Sequence, residues 1–149
     1  MAFSSYRRLA LFLGAAAFLL LPEAPVQAAA PSWLVVIPLS ENRLYLYQSG
    51  QLVGTYPVSV GETVTPTPAA RWVIREKLMN PGAPFGTRWM RLYRWDRGEY
   101  RWTEYGIHGT QEVEKLGSPA SNGCVRLRNP DVEDVFAKVP QGTLVITLP

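Results

Sequence analysis

One cysteine and one histidine are all that this 149-residue chain holds of the two residue types most used for metal binding and nucleophilic catalysis. The lone Cys124 excludes an intramolecular disulfide. One thiol and one imidazole cannot fill a Cys/His zinc site or an iron–sulfur cluster, so neither metal nor cofactor is expected. Charge of one sign is equally scarce. Lys and Arg number 15 against 12 Asp and Glu, a net +3 with no basic run, which argues against a phosphate-tracking surface and hence against nucleic acid. Charged residues at 18% and apolar residues at 47% exclude disorder over most of the length. The chain is long enough for one domain and too short for two ordinary ones.

The longest apolar run, Leu9 to Leu21, has 13 residues, short of the roughly 20 that span a bilayer. Arg7 and Arg8 precede it, Pro22 breaks it, and Val26-Gln27-Ala28 offers small residues at the −3 and −1 positions. This is the pattern of a secretory signal peptide over residues 1–28, cleaved after Ala28 or, alternatively, Ala30. An uncleaved anchor is the competing reading. With cleavage, Arg7, Arg8 and Glu23 leave, the net charge falls to +2, and no membrane attachment remains. The mature protein is then exported to the periplasm or cell wall. Oxidising compartments favour paired cysteines or none, so a single exported thiol is either buried and inert or kept for its reactivity.

The rest, residues 31–149, reads as one mainly β domain. Trp33 to Pro38, Leu44 to Tyr47 and Leu52 to Val60 form a meander of hairpins. Thr63 to Ala70 and Asn80 to Gly86 are Pro/Gly-rich loops, and Arg71 to Ile74 is a strand. Arg88 to Tyr105 reads as two strands around Asp96-Arg97-Gly98, and Gln111 to Ala120 as a loop with at most one helical turn. The one good helix starts with Asn129 as N-cap and Pro130 in the first helical position. Val132, Val135 and Phe136 supply its apolar face, and Pro140 and Gly142 end it. Thr143 to Thr147 closes the domain as a strand. Trp72, Trp89, Trp95 and Trp102 suit either a β core with its rim or the wall of a substrate groove.

Two segments hold the chemistry: Tyr105-Gly-Ile-His-Gly-Thr110 and Ser121-Asn-Gly-Cys-Val-Arg-Leu127. A thiol with an ordinary pKa near 8.5 is only a few per cent ionised at neutral pH, and a neighbouring imidazolium lowers that pKa. Cys124 and His108 are thus the types needed for a nucleophile and its base. Ile107-His-Gly-Thr110, Gly117-Ser-Pro-Ala-Ser121, Asn122-Gly-Cys-Val-Arg-Leu127 and Asn129-Pro-Asp-Val132 resemble the signature of the bacterial L,D-transpeptidases with a YkuD-type catalytic domain. Leu44 to Tyr47, Tyr56 to Gly61, Thr67-Pro68 and Pro84-Phe-Gly86 extend the resemblance over nearly all of residues 33–149. Asn122 stands where the family commonly has a second His, and Ala70 where Gly is usual, which is expected to alter a loop turn.

The resemblance implies a YkuD-like β-sandwich or barrel with one short helix near the C-terminus. It implies Cys124 as nucleophile, His108 as general base and the Gly109 carbonyl as the group orienting the imidazole. Backbone N–H groups of Gly123 and Cys124 would hold the oxyanion. Arg126, Ser121 and Asn122 fall on the substrate side, with a loop-supporting role for Ser121 and a structural salt bridge for Arg126 as competing readings. The reaction implied is cross-linking of peptidoglycan tetrapeptide stems by acyl transfer with release of D-alanine, by a monomer. An L,D-carboxypeptidase and a non-catalytic wall-binding module are the alternatives.

Overall fold

Buried and less buried residues alternate along several strands, because successive side chains point to opposite faces of the sheet. The computed structural model describes residues 32–149, and the proposed signal peptide lies outside the described residues. The strands are β1 (Trp33–Pro38), β2 (Arg43–Gln48), β3 (Gln51–Pro57), β4 (Val60–Gly61), β5 (Ala70–Met79), β6 (Arg88–Asp96), β7 (Glu99–Arg101), β8 (Gly106–Thr110), β9 (Pro119–Ser121) and β10 (Val125–Arg128). Helix α1 (Asn129–Lys138) and strand β11 (Leu144–Leu148) complete the domain. The mainly β reading with one α-helix near the C-terminus holds.

The main sheet runs β10-β8-β6-β5-β11-β1-β2-β3, with β7 extending β6 as a hairpin. Its two ends meet. Beyond β3, the Ser59 N–H donates to the Arg126 carbonyl at 3.0 Å and the Arg126 N–H donates to the Ser59 carbonyl at 2.9 Å. The sheet is therefore nearly closed into a barrel, which satisfies edge groups that would otherwise be bare. The β1–β2–β3 meander is antiparallel, whereas β1 pairs with β11 and β8 with β10 in parallel. Val35, Ile37, Leu44, Leu46, Ile74, Met90, Ile107, Val125, Leu127 and Val145 fill the interior at 0% exposure. Helix α1 adds Val132 and Val135 to the same core, and Val139 follows at its C-terminal cap.

Several boundaries differ from the sequence reading. Strand β5 runs to Met79 across a bulge between Ile74 and Glu76, well beyond Ile74. The third strand stops at Pro57, and Val60-Gly61 pairs separately with β9, inside the segment read as loop. A 3-10 turn occupies Val113–Lys115 of that segment. Asn129 is not the N-cap. Arg128 is, and the Asn129 side chain instead accepts from the Thr87 N–H at 3.2 Å. A tertiary donor thus wins Asn129 from local capping. Ala70 opens β5 and is not among the residues with positive φ, so the strain expected there does not arise.

Candidate active site

Parallel pairing of β8 with β10 brings the two rare residues together. Ile107 is level with Val125 and His108 with Arg126. Ile107, Val125 and Leu127 point inward and are fully buried, so His108 and Arg126 take the opposite, outer face. Cys124 immediately precedes Val125 and so falls level with Gly106, a diagonal neighbour of His108.

The thiol opens into a cavity of about 540 Å³ walled by Trp89, Arg91, Tyr105, Phe85, Leu78 and Asn122, among others. Trp89 stacks on the imidazole of His108, with ring centroids 5.4 Å apart, and Phe85 meets His108 edge-on at 5.3 Å. His108 is only 3% exposed. Burial pushes its pKa down to about 4, against the opposing pull of the Gly109 carbonyl, and the Arg126 charge adds to the fall. The ring is therefore neutral at physiological pH. Its Nδ1 lies 2.8 Å from the Gly109 carbonyl, which can only accept, so Nδ1 carries the proton and Nε2 has a free lone pair.

Burial likewise pushes the Cys124 thiol up, while the Gly106 backbone and the Arg126 and Arg91 charges act the other way. Burial thus favours the uncharged form of both the thiol and the imidazole. Among the described residues, the thiol's own hydrogen bond goes to the Glu104 carbonyl at 4.0 Å.

The turn carrying Cys124 is built by side chains. Gly123 has φ of +106°, and a Cβ there would lie 2.6 Å from the Tyr105 ring, so only glycine fits. Its N–H donates to Ser121 Oγ at 3.1 Å, and Ser121 Oγ donates to the Cys124 carbonyl at 2.5 Å. Ser121 is 1% exposed. It braces the turn, and it holds the Gly123 N–H.

Asn122 is exposed on the cavity rim. Arg126 donates to Glu112 at 2.9 Å and lines a second cavity of about 360 Å³ with Thr87, Thr110 and Asn129. It therefore sits beside the reacting pair but not in the wall of the thiol's cavity.

Sequence reasoning missed Thr67, whose hydroxyl accepts from the Gly61 N–H and donates to the Gly123 carbonyl, both at 2.8 Å. Its signals were its place in a Thr-Pro-Thr-Pro loop and the Thr67-Pro68 step of the family resemblance, and neither gave it a partner. Gly106 was also missed: a Cβ there would lie 2.6 Å from the Trp89 indole that backs His108.

The sequence of nearly the whole described domain matches one known family. Residues 32–147 match the YkuD L,D-transpeptidase catalytic domain. The chain belongs to that family. It is 38% identical to the YkuD protein of Bacillus licheniformis over 115 residues, covering 77% of this chain and 65% of that protein. It is 34% identical to the YkuD protein of Bacillus subtilis over 111 residues, covering 74% and 63% respectively. The chain thus spans just under two thirds of those relatives' lengths. In fold it is similar to the catalytic domain of the E. faecium L,D-transpeptidase, with a TM-score of 0.61 at 20% identity over 78% of this chain and 97% of that domain.

Proposed function

We propose that this domain is a cysteine acyltransferase that cross-links peptidoglycan tetrapeptide stems in the periplasm or cell wall. The observation that carries the reading is the neutral His108, fixed with Nε2 free, diagonal to a thiol that opens into a cavity. As Cys124 Sγ attacks the carbonyl of the third stem residue, its proton passes to His108 Nε2. The new S–C bond forms and the carbonyl π pair moves onto oxygen, where the Cys124 N–H receives it. Collapse expels the amine of D-alanine, which takes the proton from the imidazolium. The resulting thioester is opened by an amine of a neighbouring stem, whose proton returns by way of His108 to sulfur. An uncharged resting pair keeps charge out of the apolar cavity until substrate arrives.

The test is D-alanine release from a tetrapeptide stem by the purified native chain and Cys124→Ala, with and without an amine acceptor. Release lost only in Cys124→Ala, with cross-linked product when acceptor is present, supports transfer. Free tripeptide alone identifies an L,D-carboxypeptidase. No release from the native chain leaves a wall-binding module.

A further inference from the structure

A row of aromatic and arginine side chains leaves the catalytic cavity along β6 and is not used by the chemistry above. Met90 and Leu92 point into the core, so Trp89, Arg91, Tyr93 and Trp95 share the outer face of that strand. Trp89 and Arg91 wall the cavity. The Arg91 guanidinium lies 5.3 Å from the Trp89 ring centre and 5.2 Å from that of Trp102. It is fixed by Glu76 at 2.8 Å and by the Thr103 carbonyl at 3.2 Å. Trp102 is thereby held at the cavity's edge although 61% of it is exposed. Further out, Trp95 is 42% exposed and meets Tyr100 edge-on at 4.8 Å.

An isolated exposed indole is ordinary, but these rings have one side gripped by a cation or a second ring and another open to solvent. The result is an exposed aromatic surface beside the cavity, with the hydrogen-bonding groups of Arg91, Glu76 and Glu104 near it. Such a surface suits the C–H face of a pyranose ring, whose hydroxyls lie around its edge.

We propose that the Trp102–Trp95 face binds the glycan strand from which the stem peptide hangs. This rests on the acyl-transfer reading, in which the third stem residue sits at Cys124. Three extended residues reach about 10 Å, so the sugar emerges at that distance from the thiol. A strand advances about 3.4 Å per residue, so the row from Trp89 to Trp95 covers about 20 Å and spans the place where the sugar must lie.

Two measurements test it. Stemless glycan strands are titrated against the Cys124→Ala chain, with and without Trp102→Ala or Trp95→Ala, by intrinsic fluorescence and by co-sedimentation. The expected result is binding that weakens about tenfold for each ring removed. Turnover is then compared for a disaccharide-linked tetrapeptide and the free tetrapeptide. Trp102→Ala should raise KM about tenfold for the first and leave the second unchanged. Glycan binding unaffected by either substitution, equal KM changes for both substrates, or binding of lipid vesicles in preference to glycan would overturn the proposal. Glycan binding that depends on Trp102 in a chain that turns over neither substrate would instead remove the acyl-transfer reading and leave the glycan surface standing.

Discussion

Trp89 and His108 lie stacked, with ring planes 27° apart and centroids 5.4 Å apart, so one indole both walls the cavity and seals the imidazole from water. That seal makes histidine hold its proton poorly, and it gives the fold an acid-sensitive component.

The folded imidazole titrates at about 4 and the unfolded one at 6.5. Below pH 6.5 the unfolded chain takes up a proton that the folded chain refuses, so stability falls as pH drops from 6.5 towards 4. The expected contribution over that window is about 3 kcal/mol. It is read as the difference between native and His108→Gln chains in the change of urea-unfolding free energy from pH 7 to pH 4. Parallel behaviour of the two chains would show that His108 is not shielded as the stacking implies.

A raised thiol and a depressed imidazole predict that iodoacetamide alkylation of Cys124 climbs steadily into the alkaline range. A plateau reaching below neutral pH would reveal a thiolate–imidazolium pair and sink the neutral-pair description. Acyl transfer in the proposed reaction requires proton removal during attack, so His108→Gln should slow D-alanine release by roughly 10²–10⁴-fold. Alkylation of preformed thiolate should change far less in the same variant.

Gly123→Ala should abolish D-alanine release while leaving the far-ultraviolet circular dichroism intact, because a methyl group there meets Tyr105 and the backbone sits at φ +106°. Thr67→Val removes the buried hydroxyl joining Gly61 to Gly123 and should cost about 1–3 kcal/mol in urea unfolding. Full activity in both variants would mean that the turn geometry does not position the thiol.

Asn122 is exposed on the cavity rim, so Asn122→His should change the rate of D-alanine release by about tenfold or less. Activity appearing only after that substitution would place an essential proton carrier at this position and show His108 alone to be insufficient.

Lys77 closes the end of α1. Its Nζ donates to the Phe136 and Val139 carbonyls, each at 2.6 Å, and lies 4.1 Å from the Phe136 ring centre. Lys77→Met should destabilise the domain by about 1–3 kcal/mol in urea unfolding, since two carbonyls lose their charged donor. An unchanged midpoint would show that water replaces the ammonium without loss.

Local chemistry made much of this protein readable in its sequence. Short runs of β-branched, aromatic and other apolar residues at Trp33 to Pro38 and Leu44 to Tyr47 marked β1 and β2, because such side chains fit a pleated, partly buried surface. Val132, Val135 and the stops at Pro140 and Gly142 marked α1 for the corresponding helical reason. The solitary thiol and imidazole, set in glycine-flanked segments, pointed to the nucleophile and base on which the proposed reaction rests. What depended on partners distant in sequence was settled only by folding. The parallel β8–β10 register sets His108 beside Arg126, and no local rule fixes the pairing of strands separated by a loop. Asn129 had the composition of an N-cap but is drawn to the Thr87 N–H, 42 positions away. A loop-supporting role was among the readings of Ser121, but the partners that it and Thr67 hold in the Gly123–Cys124 turn came only with the fold. Above all, the charge state of the site follows from desolvation by Trp89 and its neighbours. Desolvation is a property of everything packed around a group, and no residue's immediate sequence contains it.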